Sequence, residues 1–381
     1  TMSPSGEFTK FRWICTVFGL LFSVADIASD LLLCVQYGLT GHIAWCALTL
    51  LFILSGSVFC QVFSFAWFMD DSTSSDGPSG ASRDQQTRRC TAYLVVVHML
   101  QMGFFTRYYQ LLKVSFKAVW CQGSTECHKK LFGLAADLSM LRLFETFLES
   151  VPQLLLQLYI MLEHQHRSTL QYISMVVSFL NIAWTTADFW RCFRRSLPGM
   201  NEVPGGISTA VYLLYKVLTI TARILSLSLF ILLDRFSVLA FAVVWFLGFV
   251  WAHVVKTSFC TSAWTEELYR AIVGFILVFT FFNVKGKNTK MSMTVYYALI
   301  TVQNFTAPAL LMLLNPSVEE TDFFLPMTIV IVVAHILGLE LLILYYGLLH
   351  PQKMRVPDEV DGMRATAKSA TETRLQQFLR M

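Results

Sequence analysis

One apolar stretch that contains ionisable residues decides how this chain folds: residues 137–159 read DLSMLRLFETFLESVPQLLLQLY. Leucine and phenylalanine dominate it, and a helix of this composition is apolar enough to enter a membrane. Arg142 and Glu145 are three residues apart and Glu145 and Glu149 four apart, so the three share one helical face. Each charge at the centre of such a helix costs about 2.5–3.5 kcal/mol. This face must therefore look into a helix bundle or a wet cavity.

Two further residues bear on this helix. Asp137 adds an acidic side chain at the beginning of the stretch. Pro152 lacks a backbone N–H and follows the charged turn directly, so it predicts a kink or a local opening of the helix there. Two interpretations of the charges remain open. They form internal salt bridges that fix helix packing, or they line a polar path through the membrane.

The composition of the whole chain is that of a polytopic membrane protein. Of its 381 residues, 55% are hydrophobic and only 14% are charged, and the mean hydropathy is +0.56. Soluble domains carry about 25% charged residues. The net charge is +4, and the basic residues lie in short clusters between apolar segments. This pattern predicts membrane topology and not nucleic-acid binding.

The nine cysteines do not form the pattern of a secreted disulfide framework. They are scattered, and several lie inside apolar segments, namely Cys15, Cys34, Cys46 and Cys60. No motif of a catalytic, metal or phosphate-binding site is evident in the sequence. We therefore expect a protein that is not an enzyme and that needs no cofactor or metal.

Apolar segments separated by polar links predict the membrane topology. They begin near Trp13, Ile43, Tyr93, Leu131, Leu170, Val211, Phe236, Leu268, Met291 and Phe323. Because basic loops stay in the cytosol, Lys10 and Arg12 predict a cytosolic N-terminus. Basic residues on both sides of the third and eighth segments predict that these two are re-entrant. We expect an all-α membrane protein with eight transmembrane helices, two re-entrant helices and both termini cytosolic.

The order span, span, re-entrant segment, span, span occurs twice, which predicts two structural repeats. The predicted divisions are a cytosolic N-terminus (1–12), an N-terminal membrane repeat (13–200) with a cytosolic loop at 70–90, a C-terminal membrane repeat (201–350) and a cytosolic tail (351–381).

A second set of ionisable residues lies in other apolar segments. Asp26 and Asp30 are one helical turn apart in the first span, so they need water, a proton or cationic partners. Lys216 and Arg223 share a face of the sixth segment and are candidate partners, and Asp188 near the inner end of the fifth span extends the set. These charges either set the register of the helices or line a polar path.

The tail contains a protease recognition sequence made of Asp358, Glu359, Val360, Asp361 and Gly362. An executioner caspase takes aspartate at the cleaved position, acidic residues two and three positions before it and a small residue after it. An extended, exposed segment fits its cleft. The sequence predicts cleavage after Asp361.

Beyond this site, residues 371–381 predict a short cytosolic helix with Leu375, Phe378 and Leu379 on one face. Such a helix either plugs a cytosolic cavity until it is cut away or lies on the inner leaflet as an amphipathic tail. Two other functional classes stay open: a transporter or channel for small solutes or ions that uses the buried charges, and a non-transporting membrane scaffold.

Four blocks of the sequence carry a resemblance to a known family: ADIASD (25–30), the opening stretch (137–159), LYRAIVGFILVFTFFNVKGKNT (268–289) and YYGLLHP (345–351). With these blocks and the DEVDG tail, the chain resembles the caspase-activated branch of the XK-related family. The resemblance implies a phospholipid scramblase of the plasma membrane that exposes phosphatidylserine on apoptotic cells. It also implies eight spans, two re-entrant helices, two repeats and an inhibitory C-terminal helix.

By position, the resemblance matches Asp26, Asp30, Glu145 and Glu149 to the family's intramembrane acidic residues, and Asp361 to the residue after which the chain is cut. The partners that it implies are membrane phospholipids and an executioner caspase. Some family members also need a single-span immunoglobulin-type chaperone subunit.

Overall fold

The structure, a computed structural model, is helical wherever it has regular secondary structure. It describes residues 8–74, 91–121, 125–196, 206–233, 236–257, 259–283, 290–315 and 321–349. The helices are α1 (Lys10–Leu39), α2 (Ile43–Ser74), α3 (91–99), α4 (Gly103–Trp120), α5 (Thr125–Leu148), α6 (Ser150–Glu163), α7 (Thr169–Ser196), α8 (Ile207–Leu233), α9 (Ser237–Val254), α10 (Ala263–Phe279), α11 (Lys290–Leu314) and α12 (Phe324–Leu344), with a π-helical turn at Tyr345–Leu349. The predicted caspase site and tail helix lie outside the described residues.

Within the described ranges, six helices are long and apolar enough to cross a membrane, namely α1, α2, α8, α9, α11 and α12. The prediction of an all-α, multi-pass membrane protein is confirmed at this level. The helices α5 and α7 are long, but α5 carries Asp137, Arg142 and Glu145 and α7 is rich in polar residues. The count of eight spans, the two re-entrant helices and the two repeats stay predictions.

The chain divides into two compact units. Unit 1 comprises Thr1–Leu154 and Ser168–Thr185, and unit 2 comprises Leu155–Arg167 and Thr186–Met381. Within unit 1, α2 packs against α1, α4 and α5. Within unit 2, α8 packs against α11 and α12, and α9 packs against α10. The domain boundaries predicted from the sequence stay predictions.

The charged helix is interrupted where Pro152 predicts an opening. Helix α5 ends at Leu148 and α6 begins at Ser150, with a turn at Glu149 between them. Pro152 has no N–H to donate to the Leu148 carbonyl four residues earlier. The Ser55 hydroxyl of α2 donates to this carbonyl instead, at 3.2 Å. The predicted opening is confirmed, and a side chain from the neighbouring helix satisfies the freed backbone oxygen.

The backbones of α9 and α10 come into contact where Gly248 faces Gly274. A Cβ atom on Gly274 would lie 2.7 Å from the Phe249 backbone nitrogen and 3.0 Å from the Trp245 carbonyl oxygen. We therefore expect Gly274→Ala to push the two helices apart and to lower the free energy of unfolding by about 1–3 kcal/mol.

Thermal unfolding of the purified, detergent-solubilised protein measures this effect as a lower Tm. The control is Gly347→Ala, because a Cβ atom on Gly347 would meet nothing within 4 Å. Equal Tm values for the two variants would contradict the prediction.

Candidate functional site

The Asp26 carboxylate, predicted from the sequence as a buried charge, lies inside unit 1 with a residue exposure of 2%. Three side chains donate hydrogen bonds to it: Ser150 Oγ at 2.5 Å, Ser178 Oγ at 2.7 Å and Asn181 Nδ2 at 2.9 Å. Burial of a polar group costs free energy unless its hydrogen bonds to water are replaced. These three donors replace them for Asp26.

The donors to the two aspartates of α1 come largely from one stripe of α7. Ser174 Oγ donates to Asp30 Oδ1 at 2.6 Å, and Ser178 and Asn181 donate to the first aspartate. Thr185 continues the stripe. The positions 174, 178, 181 and 185 follow helical spacing, so they lie on one face of α7. Our sequence reading did not identify this stripe, although the spacing of its polar residues was visible.

Arg142 is buried against the same stripe. Its Nη2 atom donates to Thr185 Oγ1 at 3.0 Å and to Asn181 Oδ1 at 3.3 Å. Asn181 therefore binds Asp26 through its amide nitrogen and Arg142 through its amide oxygen. The guanidinium packs directly against Gly19 of α1, because a Cβ atom on Gly19 would lie only 2.5 Å from Arg142 Nη1. One amide side chain thus connects a buried negative charge to a buried positive charge.

The two glutamates differ in how their carboxylates are satisfied. Glu145 accepts a hydrogen bond from Ser23 Oγ of α1 at 3.1 Å. Glu149, in the turn between α5 and α6, is 2% exposed, and its Oε1 atom has no hydrogen-bond partner among the described residues. Gly56 of α2 leaves room for this side chain, because a Cβ atom there would lie 2.9 Å from Glu149 Oε2. Of the two glutamates, Glu149 is therefore the less satisfied.

We call the group formed by Asp26, Asp30, Arg142, Glu145 and Glu149 the charged cluster. The charges of its members interact. Glu149 interacts electrostatically with the carboxylates of Asp26, Asp30 and Glu145, and Arg142 with those of Asp26 and Glu145. The cluster combines four acidic side chains with one basic side chain. By their chemistry, the carboxylates suit a cationic group and the guanidinium suits an anionic group.

Two other predicted residues lie elsewhere on these helices. Asp137 is half-buried within α5 in unit 1. Asp188 is half-buried on the part of α7 that belongs to unit 2, where Cys192 Sγ lies 4.0 Å from its Oδ1 atom.

In unit 2, the two predicted basic residues of α8 hold the end of α10. Lys216 Nζ donates to Thr280 Oγ1 at 2.9 Å and to the Phe281 carbonyl at 3.0 Å. Arg223 Nε donates to the Val278 carbonyl at 2.8 Å. The last carbonyls of a helix have no partner within it and carry partial negative charge. Lys216 and Arg223 therefore offset the partial negative charge at the buried C-terminal end of α10.

Arg223 also begins a buried polar chain. Its Nη1 atom donates to Asn304 Oδ1 at 3.3 Å, and the Asn304 amide lies 3.3 Å from His335 Nδ1. The other ring nitrogen of His335 is 2.8 Å from Thr301 Oγ1. The contacts shown for Lys216 and Arg223 lie within unit 2, and their pairing with the aspartates of α1 stays a prediction.

Side chains of α2 hold the turn between α3 and α4. Gln61 donates from Nε2 to the Gln101 carbonyl at 3.1 Å and accepts at Oε1 from the Gly103 N–H at 3.0 Å. Gln101 has a φ of 61°. One turn of α2 further on, Ser64 Oγ and the Ser64 carbonyl accept hydrogen bonds from Arg107 at 3.1 and 3.0 Å. The polar groups of this turn are thus satisfied within the protein.

Comparison with known proteins identifies the family. The profile described as "XK-related protein" matches residues 14–351. XK-related protein 9 of Tetraodon nigroviridis is 44% identical, over 98% of this chain and 99% of its own length. XK-related protein 8 is 30% identical in Tetraodon nigroviridis, over 93% of this chain and 88% of its own, and 34% identical in Pan troglodytes, over 92% and 87%. The resemblance to the XK-related family that the four sequence blocks carry is confirmed. This chain belongs to the XK-related family.

Proposed function

We propose that this chain is a phospholipid scramblase of the plasma membrane that a caspase activates by cutting after Asp361. It moves phospholipids in both directions without ATP and thereby exposes phosphatidylserine on apoptotic cells. It is not an enzyme and uses no cofactor. In this proposal it has eight spans, two re-entrant helices and both termini in the cytosol. The observation that carries the proposal is the buried charged cluster, which brings both signs of charge together against the apolar helix α1.

The physical task of a scramblase is to carry a headgroup across about 30 Å of hydrocarbon. The carboxylates of the charged cluster suit the amine of a phosphatidylserine or phosphatidylethanolamine headgroup, and Arg142 suits its phosphate. Helix α1 has two distinct faces: Asp26 and Asp30 are buried, whereas Leu21 and Leu32 are 57% and 58% exposed. This arrangement supports a path in which the headgroup follows the polar face while the acyl chains stay in lipid.

The backbone contacts support the two re-entrant segments. A chain that turns back inside a membrane must satisfy its backbone groups within the protein. Gln61 does this at the turn before α4, and Lys216 and Arg223 do it at the end of α10. Thr280, directly after α10, is itself buried.

The tail supports the mode of activation through its sequence. The DEVDG motif (358–362) has the residues that an executioner caspase prefers, and the predicted helix with Leu375, Phe378 and Leu379 follows it. Removal of this helix activates the protein only to the extent that the helix binds the closed state better than the open state. The partners in this proposal are phospholipids and an executioner caspase, and the family resemblance implies a single-span immunoglobulin-type chaperone subunit for some members.

Lipid flip-flop in proteoliposomes tests the proposal. The full chain, the caspase-treated chain and the caspase-treated Asp361→Ala variant are reconstituted with lipids that carry a fluorophore on the headgroup or on the acyl chain. We expect flip-flop only in the caspase-treated wild type, because the variant offers no aspartate at the cleaved position. Absence of flip-flop in a sample whose tail is demonstrably cut would overturn self-sufficient, cleavage-gated scrambling.

One observation favours a second candidate function, a channel or transporter for cations. The charged cluster has an excess of carboxylates, and Glu149 keeps a buried oxygen without a hydrogen-bond partner among the described residues. Buried carboxylates of this kind also serve ion and proton relays. Potassium or proton flux from the same proteoliposomes, without lipid flip-flop, would favour this function.

A further inference from the structure

Two cysteines meet where α1 turns into α2. Cys34 lies in the penultimate turn of α1 and Cys46 in the first turn of α2, and their Sγ atoms are 3.4 Å apart. Cys34 Sγ also lies 3.5 Å from the Cys46 carbonyl oxygen. Both are free thiols in this structure. Sequence spacing alone did not single out this pair, because it is the tight turn that brings the two helices together.

We infer that Cys34 and Cys46 form a disulfide that joins α1 to α2 under oxidising conditions. A disulfide needs its sulfurs about 2.05 Å apart, so the two atoms must close by about 1.4 Å. The turn between the helices is already ordered: the Thr40 N–H donates to the Gln36 carbonyl at 3.0 Å and the His42 N–H to the Tyr37 carbonyl at 2.9 Å. We expect rotation of the two side chains to close this gap.

The reaction is a thiol–disulfide exchange with a small disulfide such as oxidised glutathione. Cys46 is half-buried and Cys34 is buried, so the oxidant reaches Cys46 first. The Cys46 thiolate attacks one sulfur of oxidised glutathione, and the first glutathione leaves as a thiolate. The Cys34 thiolate then attacks the Cys46 sulfur, and the second glutathione leaves. One disulfide is lost and one is formed, and the two protons of the cysteines pass to the two glutathiones.

The compartment depends on the proposed topology, which places the turn between α1 and α2 outside the cytosol. Disulfides persist in the endoplasmic reticulum and at the cell surface, whereas the cytosol keeps thiols reduced. The bond closes a loop between residues 12 positions apart and so restricts the unfolded chain. It also fixes the outer end of the helix that carries Asp26 and Asp30.

The bond is tested on the purified full chain in detergent, treated with oxidised glutathione, blocked with a maleimide and mapped by mass spectrometry without reduction. We expect a linked peptide pair containing Cys34 and Cys46. We also expect a Tm about 5 °C higher before than after treatment with dithiothreitol. Cys34→Ser should lose both the link and the dithiothreitol effect. The matched control is Cys60→Ser, which removes a buried thiol that donates to the Leu141 carbonyl and should keep both.

Glutathione bound to Cys46 without a link to Cys34, or maleimide on both cysteines after oxidation, would overturn the proposal. This measurement needs no lipid transport, so it stands or fails independently of scramblase activity. A second arm adds oxidised glutathione, which does not cross membranes, to intact cells that were first reduced. Linkage there supports the outer position of the turn. Linkage in detergent but not on cells would contradict the topology and leave the bond itself established.

Discussion

Asp26→Leu is expected to lower the free energy of unfolding by about 3–6 kcal/mol. Leucine fills a similar volume but accepts no hydrogen bond, so Ser150, Ser178 and Asn181 lose their common acceptor. Each buried polar group left without a partner costs about 1–3 kcal/mol. Thermal unfolding in detergent, or the yield of monodisperse protein on size exclusion, measures the loss.

Two controls separate the hydrogen bonds from other effects of the substitution. Asp26→Asn keeps the shape and one acceptor oxygen, so we expect it to recover part of the lost stability. Val24→Leu places a leucine on the same helix at a position that is 45% exposed, and we expect no change in Tm. If Asp26→Leu unfolded at the wild-type temperature, the prediction would be wrong. The three donors would then have other partners, and the buried carboxylate would not stabilise unit 1.

Asp30→Asn and Glu145→Gln are expected to slow lipid scrambling by about tenfold or more each while the fold is kept. Each carboxylate accepts a hydrogen bond from a serine, Ser174 or Ser23, and the amide oxygen that replaces it still accepts that bond. The negative charge is lost, and with it the attraction for the amine of a passing headgroup. A loss of about 1.4 kcal/mol at the highest barrier corresponds to a tenfold slower rate.

The initial rate of flip-flop by caspase-treated protein in proteoliposomes measures this effect. The matched control is Glu267→Gln, which neutralises an acidic residue that is 47% exposed and paired with Arg270 on α10. We expect its rate to equal that of the wild type, because a surface ion pair contributes little. Wild-type rates for Asp30→Asn and Glu145→Gln, in protein with an unchanged Tm, would refute the charged path.

The backbone-level features of the fold were predictable because they follow from local chemistry. Pro152 has no N–H, so the helical hydrogen bond to the Leu148 carbonyl cannot form, and the structure has its break at Glu149. The charges at Arg142 and Glu145 required shelter from lipid, and both side chains are buried. Each of these inferences needed only the residue and its immediate neighbours in sequence.

Several hydrogen-bond partners of the charges were not predictable, because these partners are neutral groups. Asp26 accepts hydrogen bonds from Ser178 and Asn181, and nothing in the sequence marks these neutral side chains as its partners. Lys216 donates to the carbonyl of Phe281, which lies beyond the end of a helix. Serines are common and every residue has a carbonyl. The sequence therefore does not show which serine hydroxyls and backbone carbonyls the fold places beside a charged side chain.

The glycine contact between α9 and α10 bears on how the chain enters the bilayer during synthesis. Helix α9 has 18 residues and none is acidic, lysine or arginine, so it partitions into lipid by its own composition. Helix α10 has 17 residues and carries Glu266, Glu267 and Arg270 near its start. The ribosome delivers α9 first, and Gly248 on α9 then offers the docking surface for Gly274. A bulky residue at either glycine would keep α10 from packing against α9 in the newly made chain.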